Sequence, residues 1–361
     1  MPLPLPNFST KLTFVDKEGE EVNLKDLGPF DDPLTALEMW ERGDIRRTIK
    51  VTTHENESKK YFREYLRNIF ISPTSDEFRL FGEHINEELR NYVDQLSLAH
   101  HIFHLTELQE GESPAILLEE RTDSPKWTFR APVAIDAECE GTVEPTAIKT
   151  TTLYPAAYPV EFSVIRSPLE DFTGSFDPEQ FTEELLLELV NYVVKKDNDT
   201  TFMLLEQAAE SIGNQTAYKS FTPTALANTR NRIWEYQLAV PTLVTSLSTL
   251  LTNIDTEELL PQWYSPIEKV SQLLQGAVGK VADVEVLCTG SEHDPLKIGM
   301  TNALYMCAPP RQLGARLTSL PLSSHPIDKR PFGQAHAGYF FYGRYATAVV
   351  NSNAVSQASF V

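Results

Sequence analysis

The sequence predicts an α+β fold built around one long helix, and three observations point to it. A helical pattern of about 35 residues begins at Pro178. A proline-punctuated stretch, residues 105–165, has β-favouring runs and no helical stripe. After Gly213, short helical and strand-like patterns alternate until the aromatic segment near the end of the chain. Helical and strand patterns in separate blocks are typical of the α+β class.

The composition is that of an acidic folded protein. The chain has 361 residues, 41% of them hydrophobic, a formal net charge of −20 and a pI of about 4.8. At roughly 150 residues per domain, this length predicts two or three structural units. The charge repels phosphate backbones, so we expect DNA to be contacted only weakly.

Targeting signals and a disulfide framework are not expected from the sequence. The first residues lack the basic and apolar pattern of a signal peptide. No run of about 18 apolar residues occurs, so we expect no membrane-spanning helix and no membrane partner. The three cysteines, Cys139, Cys288 and Cys307, form no CxxC pair. Their odd number and spacing predict free thiols in a reducing compartment.

The first hundred residues predict an arm followed by a helix. Residues 1–58 resemble an extended arm with several prolines, and a small hairpin is expected to turn at Glu18-Gly19. Residues 75–104 have apolar side chains at helical spacing, from Phe78 onward, after a candidate N-cap at Ser75. This pattern predicts one continuous helix.

The proline-punctuated stretch predicts a long β-rich segment that does not fold independently. Residues 105–165 combine short β-favouring runs with much polar surface. Such a segment buries too little apolar area to form its own core. We therefore expect it to be stable mainly when it lies on another surface.

The best helical pattern follows this excursion. Asp177 is a good N-cap and Pro178 occupies the first helical position. One apolar face runs from Phe181 to Ala209, and Gly213 ends the helix. At 1.5 Å per residue this helix is roughly 50 Å long, so we expect it to span the molecule as a spine.

The last third predicts alternating elements and an aromatic end. Thr222-Pro223 begins a further helix, and two apolar runs predict buried strands. Residues 311–337 are expected to form a loop-rich return. Residues 338–358 predict one or two strands whose aromatic residues at alternate positions face the spine helix. Those residues are Tyr339, Phe341 and Tyr345.

No residue pattern in the sequence predicts catalysis. His100, His101 and His104 form the best metal-like cluster, but only Glu107 lies near in sequence, so we interpret them as histidines at a helix end. The segment 291–294 holds Ser, Glu, His and Asp, but adjacent residues cannot adopt triad geometry. We therefore expect no catalytic, cofactor-binding or metal-ligating residues, and no enzyme.

Polar residues elsewhere have plain structural interpretations. The carboxylates on the long helix are expected to form its solvated face. Asn351 and Asn353 are expected in a turn between strands, rather than in an isopeptide crosslink. The three carboxylates are Glu183, Glu184 and Glu188.

The order of these parts resembles one known family. The segments TTTLYPAAYPVEFSVIRSPLEDF, VVKKDNDTTFMLLEQAAESIG, TPTALANTRNRIWEYQLAVPTLVTS and HPIDKRPFGQAHAGYFFYGRYATAVV follow one another in the chain. Together they resemble the major capsid proteins of tailed bacteriophages, which have the Hong Kong 97 type fold shared with encapsulins. The resemblance covers roughly residues 75–361 as an order of elements, and no single motif in it is diagnostic.

The resemblance implies a division of the chain into six regions. They are an N-terminal arm (1–75), a helix leading into the peripheral domain (76–105), an extension loop (106–162), the peripheral domain with the spine helix (163–214), the axial domain (215–325), and the C-terminal strands of the peripheral domain (326–361). It also implies that the extension loop lies over a neighbouring subunit.

The function implied by the resemblance is structural. The protein would self-assemble into pentamers and hexamers of an icosahedral shell around double-stranded DNA, in the host cytoplasm and then the virion. A scaffolding protein, a portal and a decoration protein would be further partners. An encapsulin-like cellular compartment is a second hypothesis, although encapsulins are usually shorter and lack so long an arm. An α/β enzyme with residues 105–165 as a lid is a third.

Overall fold

The protein is described by a computed structural model, which confirms the predicted α+β class. The residues that the structure describes are 4–22, 33–54, 59–72, 75–107, 115–119, 148–152, 158–166, 177–236, 238–254, 263–264, 274–290, 302–329 and 336–361. The helices are α1 (Pro33–Glu41), α2 (Lys59–Ile71), α3 (Asp76–Leu96), α4 (Leu98–Ile102), α5 (Pro178–Ser211), α6 (Pro223–Trp234), α7 (Leu247–Asn253) and α8 (Pro310–Leu313).

The strands fall into four sheets. In chain order they are β1 (Phe8–Val15), β2 (Arg46–Thr53), β3 (His104–Glu107), β4 (Ala115–Glu119), β5 (Ile148–Thr152), β6 (Tyr158–Arg166), β7 (Gln215–Tyr218), β8 (Thr242–Ser246), β9 (Trp263–Tyr264), β10 (Ala277–Val281), β11 (Val284–Thr289), β12 (Ala303–Cys307), β13 (Gly314–Lys329), β14 (His336–Val349) and β15 (Val355–Phe360). Two sheets are pairs, β1–β2 and β4–β5; the larger two have the orders β7–β15–β12–β8–β11–β10–β9 and β3–β13–β14–β6.

The long helix α5 begins where the sequence predicts. The side chain of Asp177 accepts a hydrogen bond from the backbone N–H of Glu179, and Pro178 takes the first position, where a missing N–H costs nothing. Gly213 has φ +69°, which allows the chain to turn out of the helix end. At 1.5 Å per residue, α5 is about 50 Å long.

This helix joins two separate hydrophobic cores. The helix-rich core is formed by α2, α3, the aromatic face of β14 and the first half of α5, from Phe181 to Val194. The sheet core is formed by the seven-stranded sheet, α6, α7 and the second half of α5, from Phe202 to Ala209. The apolar face of the helix therefore changes partner at its middle.

The end of the chain divides between the two large sheets, which differs from the expectation. Residues 311–337 were expected as a loop, but β13 forms a long strand that pairs antiparallel with β14. The final strand β15 pairs with β12 and β7 in the seven-stranded sheet, whereas β14 pairs with β13 and β6 in the four-stranded sheet. Residue 325, the end of the expected axial domain, lies within β13. Local sequence cannot show this, because strand pairing is a long-range choice.

The aromatic face of β14 is buried, as predicted, and packs in one core with the spine helix α5 and with α2 and α3. Tyr339 and Phe341 are 2% and 0% exposed. Tyr339 packs on Phe70, Phe78 and Phe81 of α2 and α3. These two helices were not among the predicted partners of this face.

The N-terminal residues belong to the body of the molecule, which corrects the expected extended arm. Strand β1 pairs along its whole length with β2, from Phe8↔Thr53 to Val15↔Arg46. The turn at Glu18-Gly19 is present, with Gly19 at φ +86°, but only a single bridge joins Val15 to Glu21. Apolar residues of β1 and β2 enter both cores. The prolines predicted an unpacked segment, but strands β1 and β2 pair with each other and bury apolar side chains, so the segment is packed.

The predicted helix 75–104 is divided in two. Ser75 caps α3 by accepting a hydrogen bond from the N–H of Phe78, as expected. Ser97 has extended backbone angles and separates α3 from α4. Across the ranges of the chain given above, no helix has the length and apolarity that crossing a bilayer requires.

Candidate functional site

The segment between Glu107 and Tyr158 leaves and re-enters one sheet at its two edges. In the order β3–β13–β14–β6, strand β3 ends at Glu107 and β6 begins at Tyr158. Between them, β4 and β5 pair antiparallel with each other, from Ala115↔Thr152 to Glu119↔Ile148. Within the described residues these two strands pair with no other strand. An isolated two-stranded ribbon is marginal in water, so this ribbon needs a further surface.

A buried polar cluster lies where the spine helix changes core. Asp197 accepts a hydrogen bond from Ser97 Oγ, at the break between α3 and α4. The next residue, Asn198, accepts a hydrogen bond of 2.9 Å from the backbone N–H of Leu98 through Oδ1. Two neighbouring residues of the spine thus accept hydrogen bonds from the side chain of Ser97 and the backbone of Leu98, where α3 ends and α4 begins.

Strands β13 and β14 complete this cluster with a buried cation. Arg316 is 1% exposed and donates a hydrogen bond to Asp197 Oδ1. Its guanidinium carbon lies 4.6 Å from the ring centroid of Tyr345, a cation–π contact. The carboxylate of Asp197 therefore links α5, the α3–α4 break and β13 through charge-assisted hydrogen bonds.

The cluster of polar residues was missed by the sequence analysis, although a signal was present. The run KKDNDTT, residues 195–201, interrupts the apolar pattern of the helix at its middle. A polar run in a helix usually indicates a solvated face. Here Asn198 and Thr201 are 3% and 1% exposed, so the run marks the crossing between two cores.

The three histidines do not form a common site. His100 Nδ1 lies 3.1 Å from Asp94 Oδ1, and His101 Nε2 lies 3.0 Å from the carbonyl oxygen of Gln95. His104 belongs to β3, in register with Ala315. Where side chains are described, no group of three or more metal-ligating residues converges.

The imidazole of His100 is largely buried beside charged groups. Burial, and then the positive charge of Arg316, lower the pKa of His100, against the opposing effect of Asp197 and Asp94. We therefore expect the imidazole to be neutral at pH 7.

The carboxylates of the spine helix include two that are not solvated, which corrects the expectation. Glu183 Oε1 accepts a hydrogen bond of 2.8 Å from the N–H of Val51. Glu179 Oε1 accepts bonds from the N–H and hydroxyl of Thr53, at 2.9 and 2.6 Å. These two residues satisfy the free edge of β2, while Glu184 and Glu188 remain exposed.

The asparagines and cysteines named from the sequence have simple structural roles where they are described. Asn351 accepts a hydrogen bond from the N–H of Asn353 in a short 3-10 helix between β14 and β15, as expected of a turn. Cys288 and Cys307 are free and buried, and burial raises both pKa values, that of Cys307 to about 12. Cys139 and the segment 291–294 lie outside the described residues.

Comparison with known proteins gives structural likenesses only. No family model and no curated protein matches the chain. A virus-like particle from Pyrococcus furiosus is 12% identical, with a TM-score of 0.42, over 77% of this chain and 99% of that protein. The capsid asymmetric unit of a cyanophage is 13% identical, with a TM-score of 0.48, over 72% and 88%.

An encapsulin is among the similar structures as well. The holo-SrpI encapsulin complex from Synechococcus elongatus is 14% identical, with a TM-score of 0.46, over 72% of this chain and 85% of the encapsulin. The solved structures thus include the two groups that the sequence resembles. The likeness concerns the path of the backbone, and what each of those proteins encloses is a property of that protein.

Proposed function

We propose that this chain is the major capsid protein of a tailed bacteriophage. It is a structural subunit, not an enzyme, and it self-assembles into pentamers and hexamers of an icosahedral shell around double-stranded DNA. Assembly takes place in the host cytoplasm, with a scaffolding protein, a portal and a decoration protein as further partners. The observation that carries this proposal is the β4–β5 ribbon. Along the chain it follows one edge strand of the four-stranded sheet and precedes the other, and within the described residues its two strands pair only with each other.

The ribbon supports self-assembly for a physical reason. Two strands alone are marginally stable, and the sequence of β5, IKTTT, is mostly polar. A surface on another copy of the chain supplies the missing contacts. Each copy then gives one ribbon and receives another, and such a heterologous contact closes into rings when its rotation allows.

The two cores joined by one helix also suit a shell subunit. Separate cores let one part of the subunit meet neighbours around an axis while the other part meets neighbours along the shell. Net charge of −20 suits an inner wall that must contact DNA only weakly.

The proposal is tested by electron microscopy of the purified full chain. We expect rings or closed shells, and we expect a variant in which residues 115–152 are replaced by a short Gly-Ser linker to form neither. An equal-length Gly-Ser replacement controls for the length of the segment. Circular dichroism and urea unfolding of both variants should match the parent chain, because the side chains described in the two cores come from other segments. A parent chain that stays monomeric at high concentration contradicts the proposal.

The contents of the particles separate the proposal from its alternatives. DNA-filled virions containing this chain support the viral assignment, whereas a cargo enzyme copurifying from uninfected cells supports an encapsulin-like compartment. Turnover in a hydrolase screen that is lost on changing His100 supports an enzyme instead. The separation of His100, His101 and His104 in the structure favours neither metal nor acid–base chemistry at these residues.

A further inference from the structure

Helix α2 has one apolar face and one basic face. The apolar face packs in the helix-rich core and includes Phe62 and Leu66, both 0% exposed. The opposite face carries Lys60, Arg63 and Arg67, and these three residues are named here the basic face of α2. Lys60 and Arg67 are exposed and Arg63 is half-buried. The core therefore holds the basic face in a fixed orientation toward solvent.

The charge of this face is opposite to that of the chain. The whole chain has 51 acidic and 31 basic residues, and exposed basic residues such as Lys17 and Arg42 pair with a carboxylate. Within the described residues, the three cations of the basic face form no ion pair. In so acidic a chain, three neighbouring cations without carboxylate partners are available to an anionic ligand.

The three cations lie on one side of the helix. Arg63 follows Lys60 by three residues and precedes Arg67 by four, and side chains at these spacings are neighbours on a helix surface. Lys60 and Arg67 are about 10.5 Å apart along the helix axis. Over that distance, one strand of duplex DNA presents about three phosphates, at about 3.4 Å each along its axis.

One carboxylate belongs to the same side of the helix. Glu64 is exposed, and it lies four residues after Lys60 and three before Arg67. Three cations and one carboxylate leave a charge of +2 on this side of the helix. The fourth basic residue, Lys59, adds nothing to it, because Lys59 pairs with carboxylates at the start of α5. The side thus remains positive after every described charge of α2 is counted.

The composition of the basic face favours a phosphate backbone over another copy of the chain. Apart from Ile71 at the last position, the exposed residues of α2 are charged or polar. The centre of a protein–protein interface is apolar and poor in lysine and glutamate. Protein–DNA interfaces are more polar and more positively charged, and arginine binds two phosphate oxygens at once.

We propose that the basic face of α2 binds the phosphate backbone of double-stranded DNA without reading its sequence. Lys60, Arg63 and Arg67 contact phosphates, and Glu64 weakens the contact. The net charge of −20 limits the affinity and confines binding to this face. This inference rests on the proposed function, because it names the surface of the shell subunit that meets the enclosed DNA.

The test measures how salt affects DNA binding. Dissociated full-length subunits are titrated into a labelled duplex of about 30 base pairs, and fluorescence anisotropy is followed from about 20 to 200 mM salt. The logarithm of the association constant should fall against the logarithm of the salt concentration with a slope of about −2 to −3, as about three phosphate contacts predict. A second duplex of unrelated sequence should bind equally.

Removal of the basic face should remove this salt dependence. The triple variant Lys60→Gln, Arg63→Gln, Arg67→Gln should bind at least about ten-fold more weakly at about 50 mM salt, with a slope reduced by about 2 to 3. Glu64→Gln should bind about two- to three-fold more tightly, because it removes the one opposing charge. Urea unfolding shows whether each variant folds, and Lys60→Gln with Arg67→Gln spares the half-buried arginine if the triple variant does not.

A matched control removes the same charge elsewhere. Lys11→Gln, Lys17→Gln and Arg42→Gln together also remove three positive charges, from exposed residues that pair with carboxylates. This variant should keep the salt slope of the parent chain. An equal loss of binding in the two triple variants would reflect total charge alone and overturns the inference.

The outcomes separate the inference from the proposed function. Folded variants of the basic face that bind DNA like the parent chain overturn the inference and leave the shell function standing, as does a parent chain that assembles but binds no DNA at about 20 mM salt. A basic-face variant that loses assembly and keeps its DNA binding shows a contact with another copy instead, and also overturns it. A parent chain that binds DNA through this face but forms no rings or shells overturns the proposed function.

Discussion

The ring of Tyr339 lies parallel to the ring of Phe78, with 4.3 Å between centroids and an interplanar angle of 14°. The phenol oxygen of Tyr339 donates a hydrogen bond of 2.8 Å to the carbonyl oxygen of Phe78. The same strand, β14, pairs with β6 and β13 on its two sides. Tyr339 thus fastens the four-stranded sheet to helix α3, together with the hydrogen bonds that Asn86 and Arg90 of α3 donate to the carbonyl oxygen of Leu322 in β13.

Truncation of Tyr339 should strongly destabilise the subunit. We expect Tyr339→Ala to cost about 3–5 kcal/mol in the free energy of unfolding, because a fully packed aromatic side chain leaves a cavity. Tyr339→Phe should cost about 1 kcal/mol, since only the hydrogen bond to Phe78 is lost. Urea unfolding measures both. Equal losses in the two variants would show that packing of the ring is not the main contribution.

Substitution of Gly82 should be unfavourable although alanine favours helices. A Cβ atom at Gly82 would lie 2.4 Å from Cε1 of Tyr339, and this ring cannot move aside within the helix-rich core. We expect Gly82→Ala to cost about 1–3 kcal/mol, as overpacking does. In a Tyr339→Leu background the added cost should shrink, because the two positions share one contact. Independent, additive effects in urea unfolding would argue against the clash.

The buried pair of Asp197 and Arg316 should tolerate joint removal better than single removal. We expect Asp197→Asn or Arg316→Met to cost about 3–5 kcal/mol, because each leaves a buried group without its partner. The double variant Asp197→Leu with Arg316→Met should lose less than the sum. Glu83→Gln, which breaks an exposed pair with Arg79, is the control and should cost at most about 1 kcal/mol. Strict additivity in urea unfolding would disprove the coupling.

Acid should weaken the contact between β2 and the spine helix. Burial raises the pKa of Glu179, but hydrogen bonds from Lys59 and Thr53 outweigh it and hold the pKa below its ordinary value. The lowered pKa means that this carboxylate stabilises the fold above the pKa it has in the unfolded chain, and that the contribution is lost as the pH falls through the folded pKa. The Tm difference between the parent chain and Glu179→Gln should therefore shrink in acid.

Glu184→Gln is the matched control for this pH dependence. Glu184 lies on the exposed face of the same helix and accepts a hydrogen bond of 3.0 Å from Nε2 of Gln180. Its Tm difference from the parent chain should change little with pH, by differential scanning fluorimetry. A Glu179→Gln difference that stays constant from neutral to acid pH would refute the assignment.

The buried thiols should react only after unfolding. Burial raises the pKa of Cys307 to about 12 and that of Cys288 further, so little thiolate exists at pH 8. In a Cys139→Ser background, we expect no fast reaction with Ellman's reagent in the native protein. Full reaction of two thiols should appear in urea. Rapid labelling in the absence of urea would show that the sheet core opens readily.

Elements whose signals are local could be predicted from the residues alone. The N-cap at Asp177, the proline after it and the apolar spacing through Ala209 place the spine helix, because each signal acts within a few residues. The same holds for the cap at Thr222, whose hydroxyl accepts a hydrogen bond from the N–H of Ala225. These features follow from backbone hydrogen bonding and side-chain periodicity alone.

Which elements meet depends on contacts between segments that are far apart in the chain. Strand β15 joins the seven-stranded sheet, and Arg316 reaches Asp197 across 119 positions of the chain. Glu183 satisfies the edge of β2 rather than facing water. Each of these choices balances burial and hydrogen bonding between segments far apart in sequence, and no local pattern contains that balance.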